Sequence, residues 1–100
     1  MNFPGAIEVV ASRKLQLISD AGENEVEICV GKPLPFPDGT GFYCPIWIRG
    51  LGEEKVQRIG GTDSLQALQL ALNVLHARLM TLDPELLSSL RWNGGKHLGI

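Results

Sequence analysis

Apolar residues recur at every second position through much of the first 60 residues, which is the spacing of strands with one buried face. The first such stretch covers residues 7–18, where Arg13 interrupts the apolar series. The members of that series are Ile7, Val9, Ala11, Leu15 and Leu17. The interruption predicts either a β-bulge or the boundary between two strands.

A hairpin and a long loop are predicted next. Residues 19–22 carry turn chemistry, Ser-Asp-Ala-Gly, and residues 25–30 alternate again, so the first two strands are expected to pair as a hairpin. Residues 31–41 hold three prolines and three glycines. Because proline cannot donate to a strand ladder, this stretch is predicted to be a long connecting loop.

Two further strands are predicted, over residues 42–49 and 54–59. Pro45 places the first of them at a sheet edge or at a bulge. If both registers hold, Cys29 and Cys44 point to opposite sides of the sheet and form no disulfide. The sequence therefore predicts two small buried thiols in a reducing compartment.

From Asp63 onward the apolar spacing becomes that of a helix over about residues 63–80, with Thr62 or Asp63 as its N-cap. One face is lined by Leu65, Leu68, Leu72, Leu75 and Leu79. Polar residues are confined to the line Gln66, Gln69, Asn73 and His76. We therefore expect this helix to be covered on more than one side, by a curled sheet, the C-terminal segment or another subunit.

A short second helix over about residues 84–90 follows, because Pro84 suits a first helical position. The glycine-rich tail, residues 91–100, is expected to be anchored by Trp92 alone. The predicted fold is α+β: an antiparallel β-meander of about four strands packed against one long C-terminal helix, plus the short helix. Residues 1–100 are predicted to form a single domain.

Composition narrows the class of protein. One hundred residues, 44% of them hydrophobic, suffice for one core and are too apolar for a disordered chain. No apolar run approaches the roughly 18 residues that a membrane span needs. The first five residues lack the features of a signal peptide, so a cytoplasmic protein without a membrane partner is expected.

Charge and candidate ligands argue against nucleic acid and metal. Nine Lys and Arg against eleven Asp and Glu give a net charge of −2, and the basic residues are dispersed along the chain. Nucleic-acid binding normally requires a concentrated basic surface, so none is predicted. No metal-ligand spacing connects His76 or His97 to either cysteine. No metal and no cofactor are therefore predicted.

The segment Gly61–Leu68, GTDSLQAL, resembles the attachment site of acyl and peptidyl carrier proteins. The resemblance implies that Ser64 carries a phosphopantetheine arm and that Asp63 helps the transferase bind. Carrier proteins resemble a four-helix bundle, whereas residues before Ser64 alternate as strands. His76 lies about 18 Å along the helix from Ser64, too far to activate it as a nucleophile. No catalytic residues are predicted, and an enzyme is not expected.

A second resemblance covers more of the chain. The strand CPIWIRGLG, beginning at Cys44, and the helix GTDSLQALQLAL, beginning at Gly61, resemble a bacterial family known only as a domain of unknown function. The similarity spans roughly residues 10–92. It implies a small bacterial α+β protein with an antiparallel sheet followed by a helix, and it implies no catalytic residues.

The predicted function is a non-enzymatic protein-interaction module, such as an immunity-like or adaptor protein. Tyr43, Trp47 and Arg49 share the strand face opposite the core and form the predicted partner surface, because aromatic residues and Arg are favoured binding anchors. In the alternative, Tyr43 and Trp47 pack beneath the long loop. The apolar breadth of the helix also predicts a homodimer. The alternative function is a carrier with Ser64 as attachment site.

Overall fold

The computed structural model describes residues 3–52 and 54–100. In that part of the chain six strands form one antiparallel sheet: β1 (Val9–Ser19), β2 (Gly22–Gly31), β3 (Leu34–Pro35), β4 (Phe42–Arg49), β5 (Gln57–Gly61) and β6 (Leu90–Arg91). The helices are α1 (Ser64–Met80) and α2 (Pro84–Ser88). The predicted α+β class and antiparallel sheet are confirmed. The predicted number of strands is too low, because β3 and β6 have two residues each and are too short to show alternation.

The four longer strands form the predicted meander. β1 pairs with β2, β2 with β4, and β4 with β5, each antiparallel. β3 and β2 follow one another along the same side of β4. The start of β4 pairs with β3, and its end pairs with β2. β6 returns from the end of the chain to the outer edge of β1, opposite Gln16 and Leu17. The predicted fourth strand, residues 54–59, is displaced to Gln57–Gly61.

The interruption at Arg13 is neither a bulge nor a strand boundary. β1 continues through it, with Arg13 opposite Ile28, and the register shift lies earlier, between Val9 and Ala11. Arg13 keeps its place in the alternation because its guanidinium stacks 3.9 Å from the Trp92 ring centroid. Its Nη1 also donates a hydrogen bond of 3.0 Å to the carbonyl of Leu98. The charge is thereby accommodated at the edge of the core face.

Pro45 lies in a central strand, so its predicted placement at an edge is wrong. β4 has β5 on one side and both β2 and β3 on the other. Pairing on the β2 side ends at Ile46 and resumes with β3 at Tyr43. Pro45 therefore lies at the interruption between β2 and β3, where a missing N–H is tolerated.

The core lies between α1 and one face of the sheet. On α1 its fully buried members follow a spacing of four residues: Ala67, Ala71, Leu75 and Leu79. Leu15, Val26 and Ile46 face them from the sheet and are fully buried. Leu90 and Leu98 close one end of this core, 1% and 6% exposed. The tail is thus anchored by more than Trp92, and that part of the prediction is wrong.

A smaller aromatic cluster covers the opposite face of the sheet. The Tyr43 ring lies 5.0 Å from that of Phe3 and 5.3 Å from that of Phe36, measured between centroids. The Arg58 guanidinium stacks 4.3 Å from the Phe3 centroid. Phe36 belongs to the predicted loop 31–41, so this segment both contributes β3 and covers the sheet.

Candidate functional site

The residues around Ser64 form the start of α1. The Asp63 side chain accepts a hydrogen bond of 2.8 Å from the backbone N–H of Gln66, and the Gln66 side chain accepts one of 2.6 Å from the N–H of Thr62. This is a reciprocal helix cap, which satisfies two otherwise unpaired amides. A side chain at Gly61 would collide with the backbone of Ala67. The glycine and the aspartate therefore have structural roles.

Ser64 itself is exposed and is the first helical residue. The fold around it is a sheet with one long helix, whereas the carrier resemblance implied a four-helix bundle. The fold expected from that resemblance is wrong.

The predicted partner surface divides into buried and accessible parts. Tyr43 is 2% exposed and packs beneath Phe3 and Phe36, so its predicted accessibility is wrong. Trp47 is half-buried. Arg49 is exposed and forms an ion pair of 3.5 Å with Glu27, a type of contact that contributes little to stability. Binding through Trp47 and Arg49 stays a prediction.

Both cysteines are free and buried, as predicted. Cys44 belongs to the core beneath α1, whereas Cys29 lies on the opposite face, across from Trp47. Burial raises the pKa of each thiol from 9.0 to about 11, and the charge of Glu27 adds to the effect at Cys29. Both thiols are therefore protonated at neutral pH and are poor nucleophiles.

A cleft of about 530 Å³ brings together residues from four segments, which are α1, α2, β6 and the tail. We call it the basic cleft, because His76 of α1, Arg91 of β6, and Lys96 and His97 of the tail line it. No local pattern predicts this grouping, because the two histidines are far apart along the chain. Within residues 3–52 and 54–100, no group of three or more His, Cys, Asp or Glu side chains is placed to hold a metal ion.

One flank of α1 and the neighbouring edge of β1 leave large apolar side chains exposed. Leu72 is 43% exposed, and Val9 and Val10 are each 49% exposed. A cavity of about 270 Å³ lies between this part of α1 and the sheet, lined by Leu72 and Ala11 among others. We call Val9, Val10, Ala11 and Leu72 the open flank. Within the described residues only one stripe of α1 is fully buried, so covering of a second side by another subunit stays a prediction.

The profile of one protein family matches residues 11–100, and its description is Domain of unknown function (DUF6968). The chain belongs to this family. The predicted resemblance to a domain of unknown function is confirmed, and the DUF6968 match extends through the tail to Ile100. Neither the curated proteins nor the solved structures contain a match. Among the described residues, no helix has the length and apolarity to cross a membrane.

The two segments that carried the resemblance have definite places in this DUF6968 fold. CPIWIRGLG forms most of β4 and the turn that follows it, and GTDSLQALQLAL forms the end of β5, the helix cap and the first half of α1. Both are explained by packing and capping. The basic cleft also lies within the matched range, as do Ala11 and Leu72 of the open flank, whereas Val9 and Val10 precede it.

Proposed function

We propose that this DUF6968 chain is a non-enzymatic protein-interaction module that binds through its open flank, and that its partner there is a second copy. The observation that carries the proposal is the exposure of Leu72, which lines the cavity, and of Val9 and Val10, which precede Ala11 of the cavity lining in β1. Clustered apolar side chains on a surface mark interaction sites more often than isolated ones do. Both buried thiols are protonated at neutral pH, and the Asp63 carboxylate beside Ser64 is engaged as the helix cap, which supports a non-enzymatic role.

The edge of β1 favours a second copy as the partner. On the edge of β1 that faces away from β2, β6 pairs only with Gln16 and Leu17. Among the described residues, no strand pairs with Val9–Ser12 on that edge. An open strand edge is a template for pairing. Val9–Ser12 carries no proline or charge, and the register shift between Val9 and Ala11 is the one irregularity along it. Two copies pairing antiparallel about a two-fold axis use the same patch on both chains.

Charge agrees with such a pairing. If the two-fold axis passes between Val10 and Ala11, Glu8 of one copy lies opposite Arg13 of the other. If it passes through Ala11, Glu8 lies opposite Lys14. In either register opposite charges face each other at the ends of the paired segment, which is favourable for cross-strand pairs.

The first prediction tests this interface by sedimentation equilibrium at micromolar concentrations. The unmodified chain is expected to sediment as a dimer, and Leu72→Glu is expected to raise the dissociation constant at least tenfold, since a charge would be buried. Leu70→Glu is the matched control, because Leu70 is 40% exposed and lies about 200° around α1 from Leu72. Val10→Lys should also dissociate the dimer, whereas Ile18→Lys, at the other end of β1, should not.

A monomer throughout this concentration range would contradict self-association. If Leu70→Glu dissociated the dimer and Leu72→Glu did not, the interface would lie outside the open flank. If the chain is a monomer, the partner expected at the open flank is a different protein, as for an immunity-like or adaptor role. The carrier alternative is not proposed, because the cap and the sheet account for the motif that suggested it.

A further inference from the structure

The basic cleft combines an aliphatic wall with nitrogen-bearing side chains. Met80 of α1, Leu87 of α2 and Leu98 of the tail contribute to the wall. Its volume, about 530 Å³, falls within the range of roughly 300–1,000 Å³ typical of small-molecule sites. The cleft lies beyond the open flank along α1, and Leu72 does not line it.

The charge of the cleft is opposite to that of the whole chain. Arg91, Lys96 and two histidines line it, and among the described residues no Asp or Glu side chain does. The chain as a whole has a net charge of −2. Among the side chains, this concentration of positive charge around an apolar wall favours an anion with an apolar body. Ile100, the last residue of the sequence, also lines the cleft.

Two of the polar side chains are held in place by the backbone. Arg91 Nη1 donates hydrogen bonds of 2.6 Å to the Ser88 carbonyl and 2.8 Å to the Leu90 carbonyl. The backbone N–H of Gly99 donates to His97 Nδ1 at 3.1 Å. Because Nδ1 accepts, neutral His97 carries its proton on Nε2, which is left free to donate to a ligand.

We propose that the basic cleft binds the carboxylate of an aliphatic acid, with the acyl chain against the apolar wall. Arg91, Lys96 and His97 Nε2 donate to the carboxylate, and Met80, Leu87 and Leu98 contact the chain. No Phe, Tyr or Trp side chain of the described residues lines the cleft, so its apolar wall is aliphatic and suits an acyl chain.

The second prediction tests this site by isothermal titration calorimetry with decanoate below its micellar concentration. One saturable site per chain is expected. Decyltrimethylammonium, which has the same alkyl chain and the opposite charge, should bind at least tenfold more weakly. No saturable binding of decanoate up to millimolar concentration, or equal binding of both amphiphiles, would overturn the proposal.

Paired variants separate the cleft from general surface effects. Lys96→Glu should weaken decanoate binding about tenfold or more, while Lys32→Glu, a charge reversal at an exposed residue outside the cleft lining, should change it less than twofold. Met80→Glu should abolish binding, whereas Leu70→Glu should retain it. Equal losses in both members of either pair would contradict the assignment. Leu72→Glu should retain binding, so failure of the dimer and failure of this site are distinguishable.

Discussion

Cys29 and Cys44 occupy different faces of the sheet but have the same chemical character. Cys44 is fully buried, and its Sγ donates to the Gly31 carbonyl at 3.4 Å. Cys29 is 2% exposed and lies near the carboxylate of Glu27. Both environments disfavour a thiolate, the first by loss of hydration and the second also by a like charge. The alternation of each strand was sufficient to predict the opposite faces, because each register is local.

The third prediction concerns the stability of the fold at alkaline pH. Both thiols have a pKa of about 11 when folded and 9.0 when exposed, so between these values the unfolded chain has released protons that the folded chain retains. The free energy of unfolding is therefore expected to fall as pH rises from 9 to 11, by about 2 kcal/mol or more for each thiol. Urea unfolding followed by circular dichroism at several pH values measures this slope.

The double variant Cys29→Ala/Cys44→Ala provides the comparison. It retains every other ionisable side chain and lacks only the thiols. Its slope between pH 9 and 11 should be clearly shallower, whatever its stability at pH 7. An unchanged slope would show that the thiols do not contribute to the alkaline loss of stability.

At the scale of elements, α1 shows what its own residues determine and what they do not. The cap and the apolar spacing are local, so the predicted 63–80 is close to the observed Ser64–Met80. The buried face is different from the predicted leucine stripe: it begins with Ala67 and Ala71. The helix approaches the sheet so closely at Gly61 that only small side chains fit there, and Leu65 is left 63% exposed. This depends on the neighbouring strand and has no signal within the helix.

The fourth prediction concerns the cap. Asp63→Ala should lower the free energy of unfolding by about 1 kcal/mol, because the N–H of Gln66 loses its partner and the return bond to Thr62 is weakened. Ser64→Ala, which removes no capping bond, should change stability by less than about 0.5 kcal/mol. Urea unfolding at neutral pH distinguishes the two variants. An equal loss of stability in both variants would contradict the capping role of Asp63. A large loss in Ser64→Ala alone would show that the Ser64 hydroxyl stabilises the start of α1.

At the scale of the molecule, sequence reasoning missed β6, the docked tail and the basic cleft, and each of these joins distant parts of the chain. The meander was predictable because each of its hairpins connects consecutive strands. β6 pairs with the middle of β1, and Leu98 enters a core formed mostly by residues before position 80. The basic cleft depends on the same return of the chain, since His97 and Lys96 meet His76 only when the tail is docked. Single residues such as His97 have no periodic neighbours that would predict this.

The fifth prediction tests whether Arg13 fastens the tail to the sheet. Its guanidinium bonds to the Leu98 carbonyl across 85 positions of sequence and stacks on Trp92, so replacing it affects both contacts. Arg13→Met keeps the aliphatic stem but removes the charge and the donor, and should cost about 1–2 kcal/mol of stability. Hydrogen exchange at Leu98 and Gly99 should accelerate at least tenfold, while amides of β2 and β4 exchange as before. Lys14→Met, on the exposed neighbouring position, is the control.

Because Leu98 and His97 line the basic cleft, Arg13→Met should also weaken decanoate binding. Unchanged exchange in the tail would show that burial of Leu98 alone holds it, and Arg13 would then have no part in forming the cleft.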